Sequence, residues 1–227
     1  VIEDSFMIKI KKINKSWGRR IILKDVSCEL KSGSSYAVIG KSGIGKTTFL
    51  NILGGLESAD SGEIFIDGHK MTQKTLPILR RNNFGFVFQN FGLIDTDSIK
   101  DNLLIGLANQ SLNKVQTEEV MHNVLNNLGL NQLSLNQKVY TLSGGEQQRI
   151  ALARIILKKP DIIFADEPTG SLDPENAQVI LNHLLNDFSI DRTVLIATHD
   201  RNVWQRCDYI IQIENQGIKI TENMRRI

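Results

Sequence analysis

Tyr36-Ala37-Val38-Ile39-Gly40-Lys41-Ser42-Gly43-Ile44-Gly45-Lys46-Thr47-Thr48-Phe49-Leu50-Asn51-Ile52-Leu53 is the stretch that decides the fold. Its first four residues are a short apolar run of strand character, and the residues from Phe49 read as an apolar helix. Gly40, Gly43 and Gly45 lie between them, so the order is strand, loop, helix. Glycines let the main chain wrap closely around an anion and aim several N–H groups inward. The first turn of the following helix adds favourable partial charge. The chemistry is that of a polyphosphate cradle made by Gly40, Ser42, Gly43, Gly45, Lys46, Thr47 and Thr48.

The spacing fits the Walker A pattern in its required context. Lys46 would set its ammonium between the β and γ phosphates, and the Thr47 hydroxyl would ligate Mg²⁺ among water and phosphate oxygens. A flexible glycine-rich surface loop is the competing reading of this segment taken alone.

Ile162-Ile163-Phe164-Ala165-Asp166-Glu167 is an apolar strand ending in two carboxylates, which suits a Walker B element. Asp166 would orient the Mg²⁺ shell. Glu167, on the other side of the strand end, is the candidate general base for the water that attacks the γ phosphate. A solvated acidic turn before Pro168 is the alternative. Val194-Leu195-Ile196-Ala197-Thr198-His199 also ends a buried strand with a polar group, where ligands of parallel α/β folds collect. His199 can donate there to a γ-phosphate oxygen, whereas His69, His122 and His183 lack such a position.

Around these motifs the chain is ordinary. Its 227 residues with 41% hydrophobic content suffice for one globular core with a small lobe. The formal charge of +2 gives no reason to expect nucleic acid as a partner. Cys28 and Cys207 lack metal-ligand spacing and read as buried thiols of a reducing compartment. No apolar run reaches the roughly 18 residues that cross a bilayer, so a membrane role requires another chain. Residues 1–6 precede Met7 and read as an appended remnant, an upstream extension or an ordinary native start.

From Met7 to Gly68 the short runs Ile8 to Ile13, Ile21 to Leu30, Tyr36 to Ile39 and Glu63 to Ile66 predict strands. Between Ser98 and Leu133, Val120, Val124, Leu125 and Leu128 recur at helical spacing and predict a helical lobe. A helical pattern from Glu175 to Phe188 then separates two apolar runs, which predicts a parallel sheet with crossover helices. The class is α/β, with 7–227 as one domain and the lobe, about 95–157, inserted in the core.

Leu142-Ser143-Gly144-Gly145-Glu146, followed by Gln147-Gln148-Arg149, resembles the signature motif of ATP-binding cassette (ABC) ATPases, with glutamate where glutamine is frequent. Gln89 resembles the Q-loop glutamine, Ser171-Leu172-Asp173 the D-loop, His199 the switch histidine and Trp17 the adenine-stacking aromatic, which is usually tyrosine. The resemblance runs from Met7 onward. It implies the ABC ATPase fold: a P-loop NTPase core with a mixed, mostly parallel sheet, an antiparallel β subdomain and an α-helical signature subdomain. It implies catalytic roles for Glu167, His199 and Gln89, and Mg²⁺ contacts for Thr47, Gln89 and Asp166. Trp17, the Walker A residues, Ser143, Gly144, Gly145 and Asp173 would touch ATP. It further implies a head-to-tail dimer with two ATP molecules sandwiched between one copy's Walker A and the other's signature loop.

Asn90-Phe91-Gly92-Leu93-Ile94 and the residues on to Asn102-Leu103 resemble the segment that grips an integral membrane permease, and apolar Phe91, Leu93 and Ile94 call for burial. Phe88-Gln89-Asn90-Phe91 and Leu53-Gly54-Gly55-Leu56-Glu57 resemble the macrolide-exporter and lipoprotein-release branch, in particular subunits for bacteriocin export or antimicrobial-peptide immunity. The expected place is the cytoplasm, peripheral on the inner face of the cell membrane. A soluble cassette ATPase, such as one serving iron-sulfur cluster assembly, is the alternative.

Overall fold

The computed structural model describes residues 6–170, 172–187 and 192–224. β1 (Phe6–Trp17) and β2 (Arg20–Lys31) pair antiparallel, with Trp17 opposite Arg20 across a two-residue turn. Gly18 takes φ 57 there, as a tight hairpin requires. The chain continues through β3 (Ser35–Ile39), α1 (Lys46–Leu53), β4 (Ser61–Ile66) and β5 (His69–Lys70). β4 returns to β1, which gives an antiparallel sheet of order β2-β1-β4-β5.

Next come α2 (Leu76–Asn82), β6 (Phe84–Val87), α3 (Ile99–Leu107), α4 (Lys114–Asn127) and α5 (Gly144–Lys158). β7 (Ile162–Asp166), α6 (Pro174–Asn182), β8 (Thr193–Ala197), α7 (Arg201–Trp204) and the hairpin β9 (Tyr209–Glu214) and β10 (Gly217–Glu222) follow. The second sheet has the order β10-β9-β3-β8-β7-β6; β9 to β6 run parallel and β10 is antiparallel at the edge.

The apolar runs that predicted buried strands divide between the two faces of this sheet with period two. Tyr36, Val38, Ile162, Phe164, Leu195 and Ala197 point to one side, where they meet α1 and the antiparallel sheet. Ala37, Ile163, Ala165, Val194 and Ile196 point to the other, where Leu103, Met121, Leu125, Ile150 and Leu181 cover them from the helices. Burying such side chains stabilises the fold by about 1.5–3 kcal/mol each. It also fixes the three central strand ends relative to one another.

The helical lobe consists of α3, α4 and α5. Each opens on a capping box, with Ser98, Asn113 and Ser143 accepting from the main chain three residues on. Such caps stabilise a helix start by about 1 kcal/mol. Helix α5 packs on α3 and beneath β6, so the lobe shares its core with the sheet.

Two helix starts differ from the sequence reading. α1 begins at Lys46 rather than Phe49 because Gly45 supplies a left-handed cap, so Lys46 and Thr47 belong to its first turn. The helix after the signature serine, whose pattern in sequence starts at Glu146, already includes Gly144 and Gly145. The helix expected from Glu175 to Phe188 forms and is continuous over 174–187, widening into a π turn at His183–Asp187, and Phe188 lies outside the described residues. Residues 1–5, covering most of the N-terminal extension, also lie outside them. Among the described residues no helix is long and apolar enough to cross a membrane.

Candidate functional site

The parallel strands β3, β8 and β7 are neighbours, so the residues that follow their carboxyl ends converge. Gly45 caps α1 at φ 117 with no side-chain hydrogen bond to the first turn, which leaves its N–H groups free for an anion. A Cβ at Gly45 would overlap Ile22, and one at Gly40 would come within 2.9 Å of Ile44 Cγ2. At these two positions a side chain therefore does not fit. Lys46 Nζ lies inside it and donates to the carbonyl oxygens of Gly40, at 3.2 Å, and Lys41, at 3.4 Å. Ser42 is exposed at its rim and Thr48 half-buried in the first turn of α1.

A cleft of about 320 Å³ opens between this loop and the first hairpin, lined by Trp17, Arg20, Ile22, Gly43 and the residues from Gly45 to Thr48. Trp17 is 55% exposed, and Lys15 Nζ sits 4.7 Å from its ring centroid. Lys15 is itself held by Glu57 at 2.8 Å and the Ser58 carbonyl at 2.9 Å, which fixes the ring. Arg20 donates to the Gly43 carbonyl at 2.7 Å. Sequence reasoning missed Arg20; the two-residue turn after Trp17, which sets residues 17 and 20 side by side, was the available signal.

Thr47 Oγ1 donates to Asp166 Oδ2 at 2.8 Å, which joins the cradle to the end of β7. Burial pushes the Asp166 carboxyl above the ordinary aspartate range, and the Glu167 carboxylate pushes it the same way. The Thr47 hydrogen bond and Lys46 act in the opposite direction. A hydroxyl and a carboxylate here are hard oxygen donors. Among the described residues no group of three or more His, Cys, Asp or Glu gathers around a metal position. A cation seated here would thus take its remaining ligands from water and phosphate, the arrangement Mg²⁺ favours.

Glu167 turns away from its neighbour. Its main chain adopts φ 45, a left-handed conformation rare for a residue with a Cβ, while its N–H donates to the Ala197 carbonyl at 2.9 Å. Its side chain, 18% exposed, lies 2.8 Å from Nδ1 of His199, which is 77% exposed. The two carboxylates thus diverge, one toward Thr47 and one toward the histidine. Gln89, just after β6, is exposed, and among the described residues no hydrogen bond joins it to this group.

Ser143, Gly144 and Gly145 form a second locus. Ser143 Oγ donates to Glu146 Oε2 at 2.8 Å and accepts from the Glu146 N–H at 3.3 Å. The Ser143 main-chain N–H, first among the causes, holds the Glu146 carboxyl below its usual range. Asp173 spends its carboxylate on capping α6 and on Asn176, whose Nδ2 donates to it at 2.6 Å. Ser171 of the D-loop lies outside the described residues. Among the described residues no hydrogen bond or ion pair links this locus to the cradle. Phe91 and Leu93 are half-buried and Ile94 is 46% exposed, so the burial expected of them is not met within the chain.

Comparison with known proteins points the same way. The ABC transporter family model matches residues 23–170. The chain is 37% identical to the ABC transporter ATP-binding protein YxdL of Bacillus subtilis, over 92% of this chain and 84% of that one. It is 36% identical to the lipoprotein-releasing system ATP-binding protein LolD of Buchnera aphidicola, over 95% and 97%. The macrolide export ATP-binding/permease protein MacB of Neisseria gonorrhoeae is 36% identical over 93% of this chain, which spans 34% of that longer protein. The fold superposes on the dimeric post-hydrolysis cassette MJ0796 bound to ADP and Pi with a TM-score of 0.83, at 32% identity over 95% of this chain and 98% of that one. With its glycine cradle, its divergent carboxylates and its helix-capping serine loop, the chain belongs to the ABC transporter family as an ATP-binding, ATP-hydrolysing subunit.

Proposed function

We propose that two copies of the chain close head to tail on two Mg-ATP molecules and drive a separate membrane permease. The observation that carries the reading is the paired geometry at one sheet edge: Thr47 on Asp166, and His199 on Glu167, each at 2.8 Å. The dimeric form of a cassette similar over nearly all of the chain supports pairing of two copies, and the head-to-tail orientation is what the resemblance of the signature loop implies.

Lys46 leaves its loop carbonyls for the β and γ phosphates, and the N–H groups at the start of α1 hold the same anion. Thr47 and Asp166, with Gln89 from the loop after β6, would hold Mg²⁺. When bound, the cation neutralises phosphate charge. Glu167 accepts the proton of the attacking water, and His199 orients that carboxylate in the open state before its exposed ring turns to the γ phosphate. Trp17 stacks on adenine. Ser143, Gly144, Gly145 and Asp173 of the second copy close the other side, which requires the Ser143 hydroxyl to exchange Glu146 for phosphate.

Phe91, Leu93 and Ile94, left partly exposed beside α3, form the surface for the permease, so the chain works peripherally on the inner face of the membrane. Likeness to macrolide-export and lipoprotein-releasing proteins supports export of a macrolide- or lipoprotein-like cargo, and a bacteriocin or antimicrobial peptide is the cargo that the resemblance of the sequence motifs implies. The test is to express the chain with its cellular partners and isolate what it binds. A multi-spanning membrane protein that raises Mg-ATP turnover supports the reading, and a soluble scaffold in its place contradicts it. Lys46→Ala should abolish turnover in either preparation.

A further inference from the structure

Gln148, in the second turn of the signature helix α5, is 1% exposed and belongs to none of the steps above. Its Nε2 donates to the Pro168 carbonyl at 2.8 Å, on the residue that directly follows Glu167. Beside it, Arg149 donates to Asn176 Oδ1, and Asn176 in turn donates to Asp173. Two side chains thus bolt α5 to the segment from Glu167 to Asn176. At Gly145 a Cβ would come within 2.9 Å of the Asn176 amide, so the joint is close-packed.

Gln148 Oε1 and Arg149 Nε are buried with no hydrogen-bond partner among the described residues. A buried unpaired acceptor and a buried unpaired donor are each costly, and a small movement of α5 that satisfied either would be favoured. Glu167, at φ 45, has a main chain held only by its surroundings, and the Pro168 carbonyl is one peptide away.

We propose that Gln148 is a positioning residue for Glu167 of its own chain, through which movement of the signature helix sets the general base. The inference rests on the sandwich dimer and on Glu167 as base. In that dimer α5 of one chain reads the nucleotide on its partner, while Glu167 of the same chain serves the nucleotide on its own cradle. Gln148 therefore links the two ATP sites inside a single chain, and occupancy at one site adjusts the base at the other.

The test uses tandem-linked dimers carrying Gln148→Met, which keeps length and burial but removes the donor, together with a single Glu167→Gln. With both changes in one half, the other half keeps its own base intact, and turnover should stay near that of a dimer carrying Glu167→Gln alone. With the changes in opposite halves, both bases are impaired, and turnover should fall at least about tenfold further. KM for ATP should change by less than about twofold in both. Gln148→Asn, which keeps a polar amide but shortens its reach, is taken through the same arrangements and should give the same pattern if Gln148→Met does not fold. Equal turnover in the two arrangements, or the reverse order expected if Gln148 acted only through the signature loop, overturns the proposal. A linked wild-type dimer without Mg-ATP turnover would instead defeat the dimeric reading beneath it.

Discussion

The hydroxyl of Thr47 donates to Asp166 Oδ2 at 2.8 Å, across 119 positions of sequence. The phosphate cradle and the acidic strand end are thereby set in register. Thr47→Val keeps the shape of the side chain and removes this donor. Mg²⁺-dependent turnover should fall roughly a hundredfold, while binding of nucleotide in the absence of Mg²⁺ should hold within about threefold. Turnover measured over a Mg²⁺ titration, beside calorimetry in chelator, separates the two. Equal losses in both would assign Thr47 to the cradle alone.

Trp17 offers a ring fixed by Lys15 at the mouth of the cleft. Stacking on a base is worth about 1–3 kcal/mol, or roughly five- to a hundredfold in affinity. Every base has a π face, so Trp17→Ala should weaken ATP and GTP alike. Selective loss of one base in a binding titration would mean that hydrogen bonds, not stacking, hold it.

Acid should loosen the helix starts of the lobe and of α6. Hydrogen bonds from Ser143 to Glu146, from Ser98 to Asp101 and from Asn176 to Asp173 hold these carboxyls below their ordinary values. A depressed folded-state value means the unfolded chain binds protons first as pH falls. The stability is therefore complete above the ordinary values, 4.5 for Glu146 and 3.8 for the aspartates, and is lost as pH drops through the lower folded values. Thermal melts should be flat from neutral pH to about 5 and decline below that. Ser98→Ala and Ser143→Ala should start lower and decline less steeply. Parallel curves for variants and parent would remove the caps from this account.

The strands were legible because residues such as Ala37, Ile163 and Leu195 sit in runs buried on both faces, a pattern open to few other readings. Lys46, Asp166 and Glu167 were legible because phosphate chemistry confines them to a loop and a strand end. What sequence hid was tertiary. The start of α1 moved because Gly45 takes a left-handed cap, and the helix after Asp173 widens into a π turn without Pro or Gly to announce it. Arg20 and Gln148 act through carbonyl oxygens of Gly43 and Pro168, and main-chain acceptors leave no trace in side-chain patterns. The apolar run at Phe91 to Ile94 was expected to need burial against a permease, and the chain leaves Ile94 46% exposed.

The most direct measurement is made on Glu167→Gln, with turnover and solution mass followed at increasing Mg-ATP. ATP affinity should stay within about threefold of the parent, and hydrolysis should fall by on the order of a hundredfold to ten-thousandfold. The mass should double with ATP and return to that of one copy with ADP. Undiminished hydrolysis, or a chain that stays monomeric with ATP bound, would contradict the proposed mechanism.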